Sequence, residues 1–295
     1  MTREEIFQAL YSHEEVYRPP LEMDSAMLEL TYGCRYGRCT FCDFTREKFQ
    51  IIPLQEVEYK SRLLSLVIDG NPSLHLLGCN PLCLPTEYLL QVLGFVRQNL
   101  PCVQRINMYA RADDVLLKGE GAMARLRAAG LTELHVGVES GSDLVLQLHN
   151  KGESVQMLKD AFRILEKCGI AYHLTLIPGL GGAEHSRDHC IQTARLLSTL
   201  HPISIWCMAL KIWPNTRLQH MVKTGDFYPM NYREILLEER EMIERTEFQS
   251  SCLYVDSTVL GEYTVMGFLP EARDNLLDQI DSLLNLQAET NANSR

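Results

Sequence analysis

The chain has 295 residues, 46% of them hydrophobic and 22% charged, the balance of a globular protein with one large domain or two small ones. A formal charge of −10 gives a field that repels nucleic acid, and no cluster of Lys and Arg offsets it. No run of 18 apolar residues occurs, and residues 1–20 lack the apolar core of a signal peptide, so neither a membrane span nor secretion is expected and the location is read as cytoplasmic.

In chain order the pattern alternates. "MLELTY" (27–32) is a short apolar run closed by Gly33 and reads as a buried strand, followed by helical spacing over 53–69. "SLHLLG" (73–78) is a second strand and 86–100 a second helix, with Thr86 as its expected N-cap. "RINMYA" (105–110) precedes a helix over 120–130 that stops at a glycine. "TELHVGVES" (132–140), "AYHLTLIPG" (171–179) and "ISIWCMAL" (203–210) are the fourth to sixth strands, and helices are expected over 154–169, 186–200, 215–223 and 231–245. Residues 250–290 are less regular apart from a helix over about 270–286, and the last residues, "ETNANSR", read as disordered.

Six strands alternating with helices predict an α/β fold of parallel strands with right-handed crossovers, either an open sheet or a barrel. Both place function at the carboxyl ends of the strands. Residues 1–25 read as an N-terminal helix and lead-in, 26–245 as the core and 246–295 as a C-terminal extension.

The chain has ten cysteines, and "GCRYGRCTFCDF" (33–44) gathers Cys34, Cys39 and Cys42 just past the first strand. Without a secretion signal such a cluster reads as metal ligands or catalytic groups and not as a disulfide framework. A structural zinc site ordinarily needs a fourth ligand, and no second C-x2-C pair occurs. Packed thiols are a further reading, and an iron–sulfur cluster with one iron left open to a ligand is the third.

The motif C-x4-C-x2-C, with Phe41 before the last cysteine, resembles the C-x3-C-x2-C signature of the radical S-adenosylmethionine (radical SAM) superfamily, with one extra residue in the first gap. The resemblance runs from Tyr17 to Leu269 through "YRPPLE", "RINMYARADD", "ELHVGVESGSD", "LHNKG" and "IPGLGG", and is similar to the branch with methylthiotransferase-like and oxygen-independent coproporphyrinogen oxidase-like members. It implies a partial (β/α)6 TIM-type barrel with a short C-terminal extension. It also implies a [4Fe–4S] cluster on Cys34, Cys39 and Cys42, with S-adenosylmethionine bound at the open iron and cleaved on one-electron reduction to a 5′-deoxyadenosyl radical.

The same resemblance assigns Phe41 to the adenine. Gly78, in "LLGCNPL", takes a backbone contact with the methionine amino group, although Cys79 and Asn80 replace the family's usual Gly and Glu. Glu139 is directed at the ribose or the amino acid, Lys151 or Arg111 at the carboxylate, and Ile177 and Gly179 at the adenine pocket. Cys79 and Cys83 read as packed thiols, as do Cys168, Cys190 and Cys207, and His135, His173 and His201 as core histidines. Trp206, Met208 and Trp213 are placed either to shape a substrate cavity or simply to pack.

No residue is singled out as catalytic and the reaction stays open. With no cobalamin-binding segment, nucleic-acid-binding appendage or second Cys-rich module expected, the favoured partners are a small-molecule substrate and an electron donor such as flavodoxin or ferredoxin. A porphyrin-directed enzyme and a non-catalytic iron–sulfur or SAM-binding protein are the alternatives.

Overall fold

A computed structural model describes residues 1–11, 18–43, 47–257 and 265–293; Tyr17 and Phe44 of the quoted motifs lie outside them. The chain forms two compact units, one of residues 1–37, 44–137 and 160–172, the other of 38–43, 138–159 and 173–295.

The first unit opens with α1 (Arg3–Leu10), whose start is closed by a capping box between Thr2 and Glu5. Strand β1 (Ala26–Glu29) runs into an antiparallel ribbon of β2 (Thr31–Tyr32) and β3 (Gln50–Ile51), in which Thr31 faces Ile51. Helix α2 (Leu54–Leu64) leads to β4 (Ser73–Leu77), α3 (Thr86–Asn99) to β5 (Arg105–Ala110), and α4 (Ala112–Ala129) to β6 (Glu133–Glu139). Pairing among β1, β4, β5 and β6 is parallel: Ala26 lies opposite Leu74, Ser73 opposite Arg105, and Asn107 opposite Glu133. The strands are near-continuous apolar runs because their inner residues are buried on both faces, as a parallel sheet covered by helices requires.

At the strand starts of this unit a buried carboxylate gathers its donors. Glu22 accepts from Arg105 Nη2 at 2.7 Å, His135 Nε2 at 3.0 Å, Asn107 Nδ2 at 2.9 Å and Ser25 Oγ at 2.5 Å. Burial alone would raise its pKa, but the bonds from His135, Arg105 and Ser25 outweigh it and hold the group well below the usual carboxylate range.

The second unit continues from the end of β6 through α5 (Asp143–Leu148) and α6 (Val155–Cys168), which it shares with the first unit, to β7 (Ala171–Leu176). Then come α7 (Gly182–Leu197), β8 (Ser204–Cys207), α8 (Arg217–Thr224), α9 (Tyr232–Arg245), β9 (Cys252–Asp256), β10 (Val265–Leu269) and α10 (Arg273–Asn293). His173 pairs opposite Ser204 and Ser204 opposite Leu253, both parallel, whereas β10 turns back antiparallel on β9. Gln279 covers the outer edge of β10, donating to the Met266 carbonyl at 3.1 Å and accepting from its amide at 3.0 Å, so these backbone groups are not left open on the edge strand.

The strand order is β1-β4-β5-β6-β7-β8-β9-β10. Its first six members are the six strands expected from the sequence, in chain order and parallel within each unit, consistent with a partial (β/α)6 barrel in the α/β class. Among the described residues no helix is long and apolar enough to cross a membrane.

Several expectations are corrected. Thr86 is the first helical residue of α3, with Pro85 at the cap and no side-chain cap bond. Helix α4 begins at Ala112, and the pattern over 120–130 is only its second part, beyond a break at Gly119. The C-terminal helix continues to Asn293, through much of the tail read as disordered. His201 is exposed, whereas His135 and His173 are buried as expected.

Candidate functional site

In the second unit the segment Arg38–Asp43 carries Cys39 and Cys42, and its backbone is pinned from three directions. The Thr40 amide donates to the His149 carbonyl at 3.0 Å, the Leu218 amide donates to the Thr40 carbonyl at 2.9 Å, and Asn150 Nδ2 donates to the Arg38 carbonyl at 3.1 Å. Thr40 Oγ1 lies 2.6 Å from His149 Nδ1, and His149 Nε2 lies 2.7 Å from the Leu180 carbonyl. Phe41 packs edge-on against the His149 ring at 5.8 Å and against the apolar cluster of Val145, Ile177, Leu180, Leu210, Leu218 and Phe227. Burial pushes the His149 ring down to about 4, and the nearby His189 adds to this against the opposing pull of the Leu180 carbonyl.

Glu139 ends β6 in a left-handed conformation (φ 62°), a costly backbone state for a residue with a long side chain. Its Oε1 accepts from Lys151 Nζ at 3.0 Å and its Oε2 from Thr175 Oγ1 at 3.2 Å. Lys151 also lies 3.5 Å from Glu153 and follows Asn150, itself left-handed at φ 51°. The structure therefore brings together two residues assigned separately from the sequence, Glu139 and Lys151, as a buried ion pair. Helix α5 is capped by Ser142, which accepts from the Val145 amide.

Ile177 is buried in the apolar cluster on which Phe41 rests. Gly179 adopts φ 83°, and a Cβ there would lie 2.9 Å from Ile235 Cγ1, so the position excludes a side chain. Its amide donates to Glu238 Oε1 of α9 at 2.6 Å, and Ser186 Oγ bonds the other oxygen of the same carboxylate. Burial raises Glu238 to about 7, against the lowering effect of those two bonds. His189 Nε2 stands 3.7 Å from Glu238 while its Nδ1 lies 2.8 Å from Ser140 Oγ. Glu238, His189 and His149 escaped the sequence reading because no spacing connects them to the loops they fix; only the folded chain brings them there.

In the first unit Cys34 lies in the loop between β2 and β3, half-buried and outside any disulfide, as are Cys39 and Cys42. Arg35 Nη1 donates to the Cys83 carbonyl at 3.1 Å, which ties this loop to the turn after β4. Gly78 (φ 153°) leaves β4 with no room for a side chain, since a Cβ would meet Thr31 Oγ1 at 2.1 Å. Arg111 grips Asp113 with two bonds of 2.9 Å and covers the Tyr36 ring at 4.0 Å, so its charge is shared before any ligand arrives.

Cys83 is buried and its thiol pushed up to about 12, mainly by desolvation; Cys79 is half-buried. Cys190 and Cys207 are buried as expected, but Cys168 is half-buried at the end of α6. Trp206 Nε1 donates to Ser257 Oγ at 2.8 Å, and Lys211 stands 3.7 Å over the Trp213 ring.

Cys39 and Cys42, on the anchored segment Arg38–Asp43, are thiols of the kind that hold an iron–sulfur cluster. The end of β6 is strained at Glu139 and carries a buried ion pair with Lys151. No curated protein matches the sequence. Among solved structures, methylornithine synthase (PylB) aligns with TM-score 0.56 and 15% identity over 84% of this chain and 71% of that one. Elp3 of Methanocaldococcus infernus aligns with TM-score 0.55 and 14% identity over 90% and 63%. The radical S-adenosylmethionine methyltransferase TsrM of Kitasatospora setae, solved with cobalamin and a [4Fe–4S] cluster, aligns with TM-score 0.55 and 17% identity over 66% of this chain. The chain spans only 38% of TsrM, and at these identities the likeness is one of fold. The radical SAM superfamily model matches residues 28–197, from β1 to the end of α7, and the chain therefore belongs to the radical SAM superfamily: an enzyme whose cofactors are a [4Fe–4S] cluster and S-adenosylmethionine.

Proposed function

We propose that the protein abstracts hydrogen from a small-molecule substrate, with Cys34, Cys39 and Cys42 as the cluster ligands. When bound, the cluster and S-adenosylmethionine supply a 5′-deoxyadenosyl radical after one-electron reduction by a donor such as flavodoxin or ferredoxin. The chain contributes position, charge and exclusion of water. The observation that carries the reading is the anchoring of Thr40 by three hydrogen bonds, which fixes the backbone between Cys39 and Cys42.

Phe41, seated on Ile177 and its apolar neighbours, offers a flat wall for the adenine, and the Gly179 backbone borders the same cluster. Glu139 faces the ribose hydroxyls or the ammonium, and Lys151, already beside it, takes the carboxylate; the ion pair between them keeps both charges compensated before the ligand enters. Gly78 lets backbone approach the methionine amino group, while Arg111 is the alternative to Lys151 as the cation for the carboxylate. In this reading residues 26–245 are the catalytic core, 246–295 are an extension, and the enzyme works in the cytoplasm. The net charge of −10 favours a small molecule over nucleic acid.

Anaerobic reconstitution followed by incubation with S-adenosylmethionine and dithionite tests this. Deoxyadenosine and methionine should appear slowly without substrate, and a metabolite pool should show transfer of its label into deoxyadenosine. A fully loaded cluster that yields no deoxyadenosine with several reductants would refute the reading. Porphyrins belong in the panel, and turnover of one would replace the small-metabolite assignment.

A further inference from the structure

His149 has both ring nitrogens engaged, and the two partners lie on different loops of the second unit. Nε2 sits 2.7 Å from the Leu180 carbonyl, which can only accept, so Nε2 carries the hydrogen. With the ring neutral in its buried pocket, Nδ1 is then an acceptor and the Thr40 hydroxyl, 2.6 Å away, is its donor. His149 is 0% exposed and Thr40 2% exposed, so solvent competes for neither bond. The Phe41 and Phe227 rings meet the imidazole edge-on at 5.8 and 5.4 Å and limit its rotation. The backbone carries the same link, through the Thr40 amide on the His149 carbonyl.

We infer that His149 is a positioning residue whose Nδ1, through Thr40, sets the orientation of Cys39 and Cys42, and whose Nε2–H fixes the Leu180 loop against the same segment. The inference rests on the proposed cluster ligands. The physical reason is preorganisation: thiolates one and two residues from Thr40 point correctly only if that backbone is immobile, and an orienting partner behind a ligand commonly governs how tightly metal is kept. A purely packing role would need the ring's volume but neither a particular nitrogen nor a particular hydroxyl.

That difference gives the test. Asn at 149 reproduces the position of Nδ1 and Gln that of Nε2. In reconstituted full-length protein, cluster loss to an iron chelator is followed by the decay of its visible absorbance, with circular dichroism confirming the fold. Thr40→Val and His149→Gln each remove the Nδ1 bond and should speed cluster loss about five-fold, the scale of one buried hydrogen bond. Thr40→Ser and His149→Asn should stay within about two-fold of wild type, and the Thr40→Val/His149→Gln double variant should be no faster than either single one. Should His149→Gln fail to fold, the near-isosteric Thr40 pair decides alone. Wild-type kinetics in Thr40→Val, multiplied effects in the double variant, or His149→Asn as labile as His149→Gln would overturn the role of His149 with the cluster reading intact. Wild-type protein that takes up no iron would overturn the ligand assignment itself, and this inference with it.

Discussion

Glu22, in the turn before β1, and Glu139, at the end of β6, are both buried carboxylates, yet they are built in opposite ways. Glu22, at the strand starts of the first unit, is saturated by Arg105, His135, Asn107 and Ser25. Glu139, at the carboxyl end of β6 in the second unit, sits in a left-handed backbone conformation with Lys151 and Thr175 as its donors. In parallel α/β folds the amino ends of strands serve stability and the carboxyl ends serve chemistry. The saturated site has no bonding capacity left for a ligand, whereas the strained one keeps a conformation that folding alone would not select.

The largest effect should come from the cysteine loop. Cys39→Ser together with Cys42→Ser should leave the reconstituted protein without its brown chromophore and with little iron, while the circular dichroism spectrum is kept. Retention of about four irons per chain would break the ligand assignment.

Next, Glu22→Leu should cost roughly 3–5 kcal/mol of stability in urea unfolding, because it leaves the Arg105 guanidinium without its buried partner. Deoxyadenosine formation per folded molecule should change little. If Glu22→Leu instead abolished S-adenosylmethionine binding in well-folded protein, the division between stabilising and functional strand ends would fail.

Much of this contrast was legible in the sequence and part was not. The six parallel strands could be read because each is an apolar run bounded by glycine, proline or a helical period, as in "RINMYA", which matches β5 residue for residue. Strands β9 and β10 escaped because they are five residues each and β10 has Gly267 in its middle, so neither shows clean alternation. Cys34, Cys39 and Cys42 were readable as a local motif. The His149–Thr40 bond was not, since its partners are 109 residues apart and only the fold brings them together. Glu139 was readable as a polar strand end, but its left-handed backbone and its pairing with Lys151 were not.

The pH dependence of stability sharpens the comparison, because two buried glutamates act with opposite signs. Glu22 has a folded pKa below its unfolded value, so its stabilisation is present above pH about 4.5 and is lost as pH falls below that. Glu238 has a folded pKa raised to about 7 from 4.5, so the folded state binds its proton more tightly and stability falls as pH rises through that window, then levels off. Ser186, the Gly179 amide and His189 face this carboxylate, with Glu239 and Glu241 on its own helix. The expected loss between pH 4.5 and 7 is on the order of 2–3 kcal/mol. Glu238→Gln should flatten that part of the curve and leave the acid limb set by Glu22 in place. A Glu238→Gln curve parallel to wild type between pH 5 and 7 would show that Glu238 is ionised throughout.

The smallest expected effect isolates the backbone of Glu139. Glu139→Ala and Glu139→Gly both remove the carboxylate, and both should weaken S-adenosylmethionine binding by roughly 1–3 kcal/mol, the worth of a charged hydrogen bond. They differ in what they do to the left-handed conformation. Alanine keeps the clash between Cβ and the backbone, while glycine relieves it, so at an ordinary strand position glycine would be the less stable of the two and here it should be the more stable by about 1 kcal/mol. Lys151 retains Glu153 as a partner in both variants, so the lost ion pair cancels from the difference. Urea unfolding of the two variants side by side measures it. A glycine variant less stable than the alanine one would mean that the end of β6 carries no strain, and the contrast with Glu22 would then rest on hydrogen bonding alone.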